Sequence, residues 1–180
     1  MKNILNRYLP FAVVITAFCA LAYATVQQAY RQGANDPQIQ IARDAAYALE
    51  QGKAVEQVVP SDVVDMDRSL APFLIVYNTD EQPVAASGTL NDSLQTVPEG
   101  VLGYAREKGE NRVTWQPQPG TRIAAVIVPY QDGYVLAGRN LREVELREAQ
   151  TTQFAGLTWI LAMAAILIVI AFGERFLTDK

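Results

Sequence analysis

The sequence has no histidine and only one cysteine among its 180 residues. Without histidine, the chain lacks the side chain that most often acts as a general base or binds a metal. The cysteine, Cys19, lies in an apolar run near the N-terminus, where it is expected to be an inert small apolar side chain. The rest of the chain cannot form a disulfide, so it must fold on its apolar core alone.

Charge is absent from two long apolar runs, residues 9–26 and residues 154–172. At about 1.5 Å per helical residue, each run covers most of a hydrocarbon core that is roughly 30 Å thick. Buried helices of soluble proteins are the alternative, but they are rarely uncharged over such a length. The pattern therefore predicts two transmembrane helices, with the lipid bilayer as their partner.

The basic residues at the chain ends predict the topology. Lys2 and Arg7 precede the first run without a neighbouring acid, which places residues 1–8 in the cytoplasm. Two spans return the chain to the same side, so the tail at 173–180 is also expected in the cytoplasm. Residues 27–153 then lie outside the cytoplasmic membrane.

A cleaved signal peptide is the alternative for the first run. Ala22-Tyr23-Ala24 fits the small-x-small cleavage pattern, and Lys2 and Arg7 resemble the basic start of a signal peptide. Against cleavage, the run is long for the apolar region of a signal peptide, and sequence compatible with a helix continues beyond it. The second run would anchor the chain in either case.

The segment between the runs carries helix and strand patterns in a definite order. Residues 35–52 predict a helix, with Pro37 in its first turn and Gly52 after its end. Successive hairpins, including an Asp132-Gly133 signal, favour an antiparallel sheet. The fold class is therefore α+β, with about five strands and helices packed on a face. Strands are expected at residues 72–78, 83–90, 111–117, 121–130 and 134–141, with helical segments at 54–59 and in the stretch 97–109, where Gly109 follows the end of the helix.

This order between two spans, closed by "DGYVLAGRNLREVE" (residues 132–145), resembles the extracytoplasmic PAS-like sensor domains of the Cache or PDC type. Bacterial histidine kinases and chemoreceptors carry such domains. The resemblance implies a PAS-like sheet and a last strand that continues into the returning membrane helix. The aromatic-Arg-aromatic signature of many double Cache domains is absent. Only residues 173–180 follow the second run, so the chain resembles the sensing half of a receptor without a transmitter.

Several activities are not supported by the sequence. There is no histidine to activate a serine nucleophile, no phosphate-binding loop and no dinucleotide fingerprint, so neither an enzyme nor a cofactor is expected. Residues 27–153 contain 11 basic and 17 acidic residues, a net charge of −6, which disfavours nucleic acid. Asp62, Asp65 and Asp67 resemble a calcium loop but lack its Gly and Glu, so they indicate turns and caps, and no metal is expected.

Four residues are candidates for a small-molecule site. Strand alternation places Arg122 and Tyr130 on one side of their strand, where a cation and a phenol among apolar groups can hold a carboxylate. Arg139 and Trp115, on neighbouring strands, are expected to join them. The alternative is that Trp115 packs in the core while both arginines lie at strand ends in solvent.

Two functions remain open. The first is a membrane-anchored sensor or ligand-binding module that signals through its helices to a separate membrane partner. A helix from residue 142 to residue 172 would pass movement of the last strand into the membrane. The second is a non-catalytic structural or accessory subunit that uses the PAS-like domain for assembly. A homodimer through the helices is compatible with both, and the chain can also be a fragment of a larger receptor.

Overall fold

A computed structural model describes residues 2–33 and 35–178. Lys180, in the tail that is expected in the cytoplasm, lies outside the described residues. The chain divides into two compact units: residues 31–145 form one, and residues 1–30 with 146–180 form the other. We call them the α+β domain and the helical pair.

The helices and strands confirm an α+β fold. The helices are α1 (Lys2–Gly33), α2 (Asp36–Glu50), α3 (Val55–Val58), α4 (Val101–Lys108) and α5 (Arg142–Thr178). The strands are β1 (Val64–Asp65), β2 (Phe73–Asn78), β3 (Pro83–Ala86), β4 (Gly88–Thr89), β5 (Asn111–Gln118), β6 (Thr121–Tyr130) and β7 (Gly133–Asn140). In the part of the chain that the structure describes, α1 and α5 are the two helices long and apolar enough, by length and composition, to cross a membrane.

Five strands form an antiparallel sheet in the order β3-β2-β7-β6-β5. The predicted number of strands and their antiparallel pairing are therefore confirmed. One feature was not predicted: β1 and β4 form a separate two-stranded parallel pair. β4 takes up part of the segment that was expected to continue the second strand, because Ser87 separates it from β3. Very short strands of this kind carry too few residues for a periodic pattern.

Helix α2 forms where the sequence predicted a helix, and its ends explain its length. Pro37 occupies the first turn, where a missing N–H costs nothing. At the other end, the Gly52 and Lys53 N–H groups donate to the carbonyls of Leu49 and Ala48, at 2.9 and 3.1 Å. This pattern satisfies carbonyls that the helix itself leaves without donors.

Each face of the sheet has its own apolar cluster, because alternate side chains of a strand point to opposite sides. On the first face, α2 packs through Ala42 and Ala46 against Leu74, Val126 and Val135. We call this the α2 face. On the second face, which we call the α4 face, larger side chains pack beneath α4. They include Phe73, Ile75, Tyr77, Leu102, Trp115, Ile127 and Leu136.

The Asp132-Gly133 signal marks a true hairpin, but Gly133 lies in the strand after the turn and not in the turn itself. Gln131 and Asp132 form the turn, and Gly133 is already the first residue of β7, paired with Tyr130. A Cβ at Gly133 would lie 1.9 Å from the Tyr77 carbonyl oxygen on the neighbouring strand. Close approach of β2 and β7 therefore requires glycine at this position.

Candidate functional site

The four predicted ligand residues do not converge. Arg122, Tyr130 and Arg139 lie on the α2 face, as strand alternation and the pairing of Ala124 with Arg139 require. Trp115 pairs with Ile123 and is buried in the cluster of the α4 face. The sheet itself therefore separates Trp115 from the other three.

The three residues on the α2 face are also far apart or engaged elsewhere. Arg122 and Tyr130 lie at opposite ends of β6, about 27 Å apart at the usual rise per strand residue. Arg122 forms an ion pair with Glu145, and its side chain is half exposed. Tyr130 packs beside the α2-face cluster, where burial first, and the Asp132 charge second, raise the pKa of its phenol. The residues do not line one pocket, and the ligand-binding prediction stays a prediction.

The α4 face is filled by the protein's own aromatic groups. Tyr77 is fully buried, burial raises the pKa of its hydroxyl, and that hydroxyl donates to the Gln95 carbonyl at 3.0 Å. Tyr134, its neighbour across the strands, accepts from Arg106 Nε at 2.9 Å, and the guanidinium carbon lies 4.6 Å from the ring centre. The Tyr77 hydroxyl therefore fixes the loop that contains Gln95 to the sheet, and the Tyr134 phenol fixes α4 to it through Arg106.

The most concentrated polar site is where β7 becomes α5. Three side chains from this junction donate to four backbone carbonyls of one loop, residues 66–70, which leads toward β2, the strand that pairs with β7. We call this arrangement the junction clamp. Its bonds are Arg139 Nε to Leu70 O (3.0 Å), Asn140 Nδ2 to Met66 O (2.9 Å) and Asp67 O (3.2 Å), and Arg142 Nη2 to Arg68 O (3.0 Å).

Asn140 is the centre of the junction clamp. It is 5% exposed, and its amide group bridges two carbonyls of the loop. Its side-chain oxygen accepts from the Arg142 N–H at 2.8 Å, which satisfies one of the donors that a helix start leaves free. One side chain therefore fixes both the loop and the first turn of α5.

Further bonds hold the same corner of the domain. The Leu141 N–H donates to the Arg122 carbonyl at 2.8 Å, and Glu145 in the first turn of α5 pairs with the Arg122 guanidinium. Thr121 Oγ1 donates to the Asp67 carboxylate. The start of α5 is thus tied to β6 as well as to the loop. Because the side-chain donors of the junction clamp bind backbone carbonyls of residues 66–70, the clamp connects the start of α5 directly to that loop.

The sequence offered only part of this site. Arg139 was expected at a strand end, in a pocket or in solvent, and the structure gives it a backbone partner in the loop instead. Asn140 was not selected, although Asn is a residue type that commonly caps helix starts. The missing information was the position of the loop, which lies about 70 residues earlier in the chain.

Asp65 and Asp67 of the calcium-like segment each have partners within the domain. Asp65 accepts from the Asp67 N–H at 2.9 Å and pairs with Arg68 at 3.6 Å. Asp67 in turn accepts the hydrogen bond from Thr121. Among the described residues, no group of three or more His, Cys, Asp or Glu side chains is placed to hold a metal ion.

A second polar cluster joins α2 to the edge strand. Glu110 accepts from Arg112 at 2.6 Å and from Arg43 on α2 at 2.8 Å. Burial alone would raise the pKa of this carboxyl, but the hydrogen bonds and charges of Arg112 and Arg43 together lower it. We call these three residues the edge triad. The acid contributes to stability in its ionised form.

No protein-family model matches the sequence, and no curated protein matches it.

Proposed function

We propose that the chain is a membrane-anchored sensor module, in which the α+β domain lies outside the cytoplasmic membrane and acts through its membrane helices on a separate membrane partner. The observation that carries this proposal is the junction clamp at the start of a single unbroken helix, α5. The proposed role is non-catalytic and involves no nucleic acid. A small molecule is the proposed stimulus.

The membrane location is supported by apolar side chains without protein cover. In α1, Phe18 is 71% exposed, and in α5, Val169 is 69% exposed. Such continuous apolar surface is unfavourable in water and favourable in a bilayer. We propose that residues 9–26 and 154–172 span the cytoplasmic membrane, with both chain ends in the cytoplasm.

The coupling follows from the mechanics of the helix. α5 begins in the domain at Arg142 and continues without a break through the second apolar run to Thr178. A hydrogen-bonded helix transmits a shift or rotation of its first turn along its length, whereas a Gly- or Pro-rich linker would absorb it. Because Asn140 joins that turn to the loop at 66–70, a rearrangement of the loop would move the helix.

A PAS-like fold of the Cache type is the finer proposal for the domain. It is supported by the five-stranded antiparallel sheet, by a helix on each face and by the last strand running into the returning helix. These features are fold-level likenesses and bear on architecture more than on activity.

The test uses the full chain in nanodiscs, with Cys19 replaced by Ser and spin labels at Gln27→Cys and Glu148→Cys in the helical pair. The probes are the standard amino acids and short dicarboxylates, added singly. We expect at least one probe to raise the Tm of the domain and to shift the distance between the labels. In Asn140→Ala the same probe should still raise the Tm, but the distance should stay constant.

A probe that raises the Tm without moving the labels in the parent protein would contradict the sensor proposal. The matched control for Asn140→Ala is Asn78→Ala. Asn78 also accepts a backbone N–H through its side chain, from Gln82 at 2.9 Å, but in the β2–β3 turn. Asn78→Ala should leave the probe-dependent change in the distance between the labels intact.

The second candidate is a non-catalytic accessory subunit that uses the domain for assembly. The filled α4 face favours it, because Phe73, Tyr77 and Met66 are each at most 2% exposed and occupy the space beneath α4 themselves. A subunit of this kind binds none of the probes and forms a stable complex with another chain or a second copy. Binding of any probe with a label shift excludes it.

A further inference from the structure

Among the side chains that the structure describes, three hydrogen bonds join α1 and α5 within the helical pair. Along the three, positions on α1 rise as positions on α5 fall, so all of them belong to one antiparallel register. The bonds are Tyr8 Oη to Met163 O (3.4 Å), Trp159 Nε1 to Thr16 Oγ1 (2.9 Å), and a bond between the hydroxyls of Tyr23 and Thr152 (3.0 Å).

The less exposed residues of both helices follow the same line. They recur in steps of three, four or seven residues, which is the spacing of one helix face against another helix. On α1 they are Tyr8, Ala12, Ile15, Cys19, Tyr23, Gln27 and Tyr30. On α5 they are Glu148, Thr151, Ala155, Ala162, Ile166 and Ile170, with Met163 adjacent to Ala162 as the exception to the spacing. We call this line of contact the seam.

In lipid, the association of two helices along such a seam depends on packing and on interhelical hydrogen bonds. Lipid tails are as apolar as leucine, so the hydrophobic effect does not distinguish one helix face from another there. An indole N–H inside an apolar run must find an acceptor or stay unpaired at a cost. For Trp159 the acceptor is the Thr16 hydroxyl, and both residues lie within the uncharged runs.

We propose that the two spans bind each other as a hairpin through the seam, and that the bond between Thr16 and Trp159 fixes their register. This inference rests on the proposed membrane location. It goes beyond the sensor proposal because it assigns the seam face of α1 to α5 of the same chain. A second copy or a signalling partner must then bind other faces, which carry Phe18 and Val169 at about 70% exposure.

The native cysteine provides the test. Cys19 lies between Thr16 and Tyr23 on α1, and Ala155 lies between Thr152 and Trp159 on α5, so the register places the two at one level. Ala155→Cys is introduced into the full chain in membranes and oxidised with copper phenanthroline. A protease site at the exposed Pro119–Gly120 turn then shows whether the two halves remain joined without reductant.

Leu157→Cys is the matched control, because it lies at nearly the same depth but is 54% exposed. We expect the disulfide between Cys19 and the cysteine of Ala155→Cys to join the two halves several-fold faster than the disulfide between Cys19 and the cysteine of Leu157→Cys. Equal rates for both cysteines, or disulfides that form mainly between two chains through Cys19, would overturn the seam.

The role of the hydrogen bond is tested in the Ala155→Cys background. Thr16→Val should slow the joining several-fold, Thr16→Ser should restore it, and Trp159→Phe should match Thr16→Val without adding to it. Thr25→Val is the control, since the Thr25 hydroxyl bonds to Leu21 of its own helix at 2.8 Å. An unchanged rate in Thr16→Val would overturn the register assignment.

These outcomes are independent of the sensor proposal, because the joining rate requires no ligand and no movement. If the seam is confirmed but no probe moves the spin labels, the hairpin stands and the sensor function fails. If the labels move but the joining pattern is absent, the coupling stands and the seam fails.

Discussion

The α+β domain and the helical pair bury apolar side chains to very different extents. In the domain, large side chains such as Phe73 and Ile75 are at most 2% exposed and pack on both faces of a sheet. In the helical pair, the apolar side chains of the described residues are mostly about half exposed or more, and Ala12 is the one in the buried class. One chain thus contains a region that forms its own apolar interior and a region whose apolar side chains are mostly left exposed.

The difference indicates what stabilises each region. Burial of a large side chain in the domain contributes about 1.5–3 kcal/mol, because it removes apolar surface from water. The same burial is missing from the helices, so in the proposed membrane location their association depends on packing and on the hydrogen bonds of the seam. A substitution should therefore have different effects in the two regions even when the residue type is the same.

Phenylalanine to alanine is the strongest version of this comparison. Phe73→Ala should lower the free energy of unfolding of the domain by about 3–5 kcal/mol, since it leaves a cavity between the sheet and α4. Phe18→Ala should leave the domain unchanged, because that side chain is 71% exposed on α1. The measurement is guanidinium unfolding of the full chain in detergent, followed by Trp115 fluorescence with Trp159 replaced by Phe. Equal effects of the two substitutions would contradict the comparison.

Glycine to alanine gives the next largest expected difference. A Cβ at Gly138 would lie 2.4 Å from Cζ of Phe73, so Gly138→Ala should destabilise the domain by about 1–3 kcal/mol through overpacking. A Cβ at Gly156 on α5 meets no atom within 4 Å. Gly156→Ala should therefore be neutral or slightly stabilising, since alanine favours helix. The same unfolding assay measures both, and a stable Gly138→Ala protein would show that Phe73 is less confined than described.

The junction clamp can be weakened without touching either apolar region. Asn140→Ala removes two donor bonds and one acceptor bond, which should cost about 1–2 kcal/mol. Amide hydrogen exchange should become faster in residues 66–70 and in the first turns of α5 together. Asn78→Ala should accelerate exchange only near its own turn. If the loop and the helix respond separately to Asn140→Ala, the clamp does not join them.

The smallest effect is expected from acid. The pKa of Glu110 is lower in the folded domain than its ordinary value, so its contribution is fully present above that ordinary value. The contribution is lost as the pH falls through the lowered pKa. Glu110→Gln should destabilise the domain by on the order of 1 kcal/mol at neutral pH, because the ion pairs are partly exposed. The gap between the two proteins should close in acid, and a gap independent of pH would contradict the role of the edge triad.

Local patterns explain how much of the fold could be predicted. The helix at 36–50, the hairpins and the five strands each follow from periodicity and turn residues, which act over a few neighbouring positions. The ligand residues show where this reasoning stops. Alternation correctly placed Arg122 and Tyr130 on one face of the sheet. It did not reveal that Trp115 lies on the other face, or that Arg122 and Tyr130 lie too far apart along β6 to bind one small molecule. The junction clamp joins Asn140 to Met66 across the fold, and no local pattern encodes such a contact.

The account depends most on the domain lying across the membrane from the chain ends. With Cys19 replaced by Ser, single cysteines are placed at Asp132, in the exposed β6–β7 turn, and at Asn6, before the first apolar run. A membrane-impermeant maleimide is applied to intact bacterial cells expressing the chain. Asp132→Cys should be labelled at once, and Asn6→Cys only after the membrane is opened. Labelling of Asn6→Cys in intact cells, with Asp132→Cys protected, would contradict the proposed topology and the sensor role built on it.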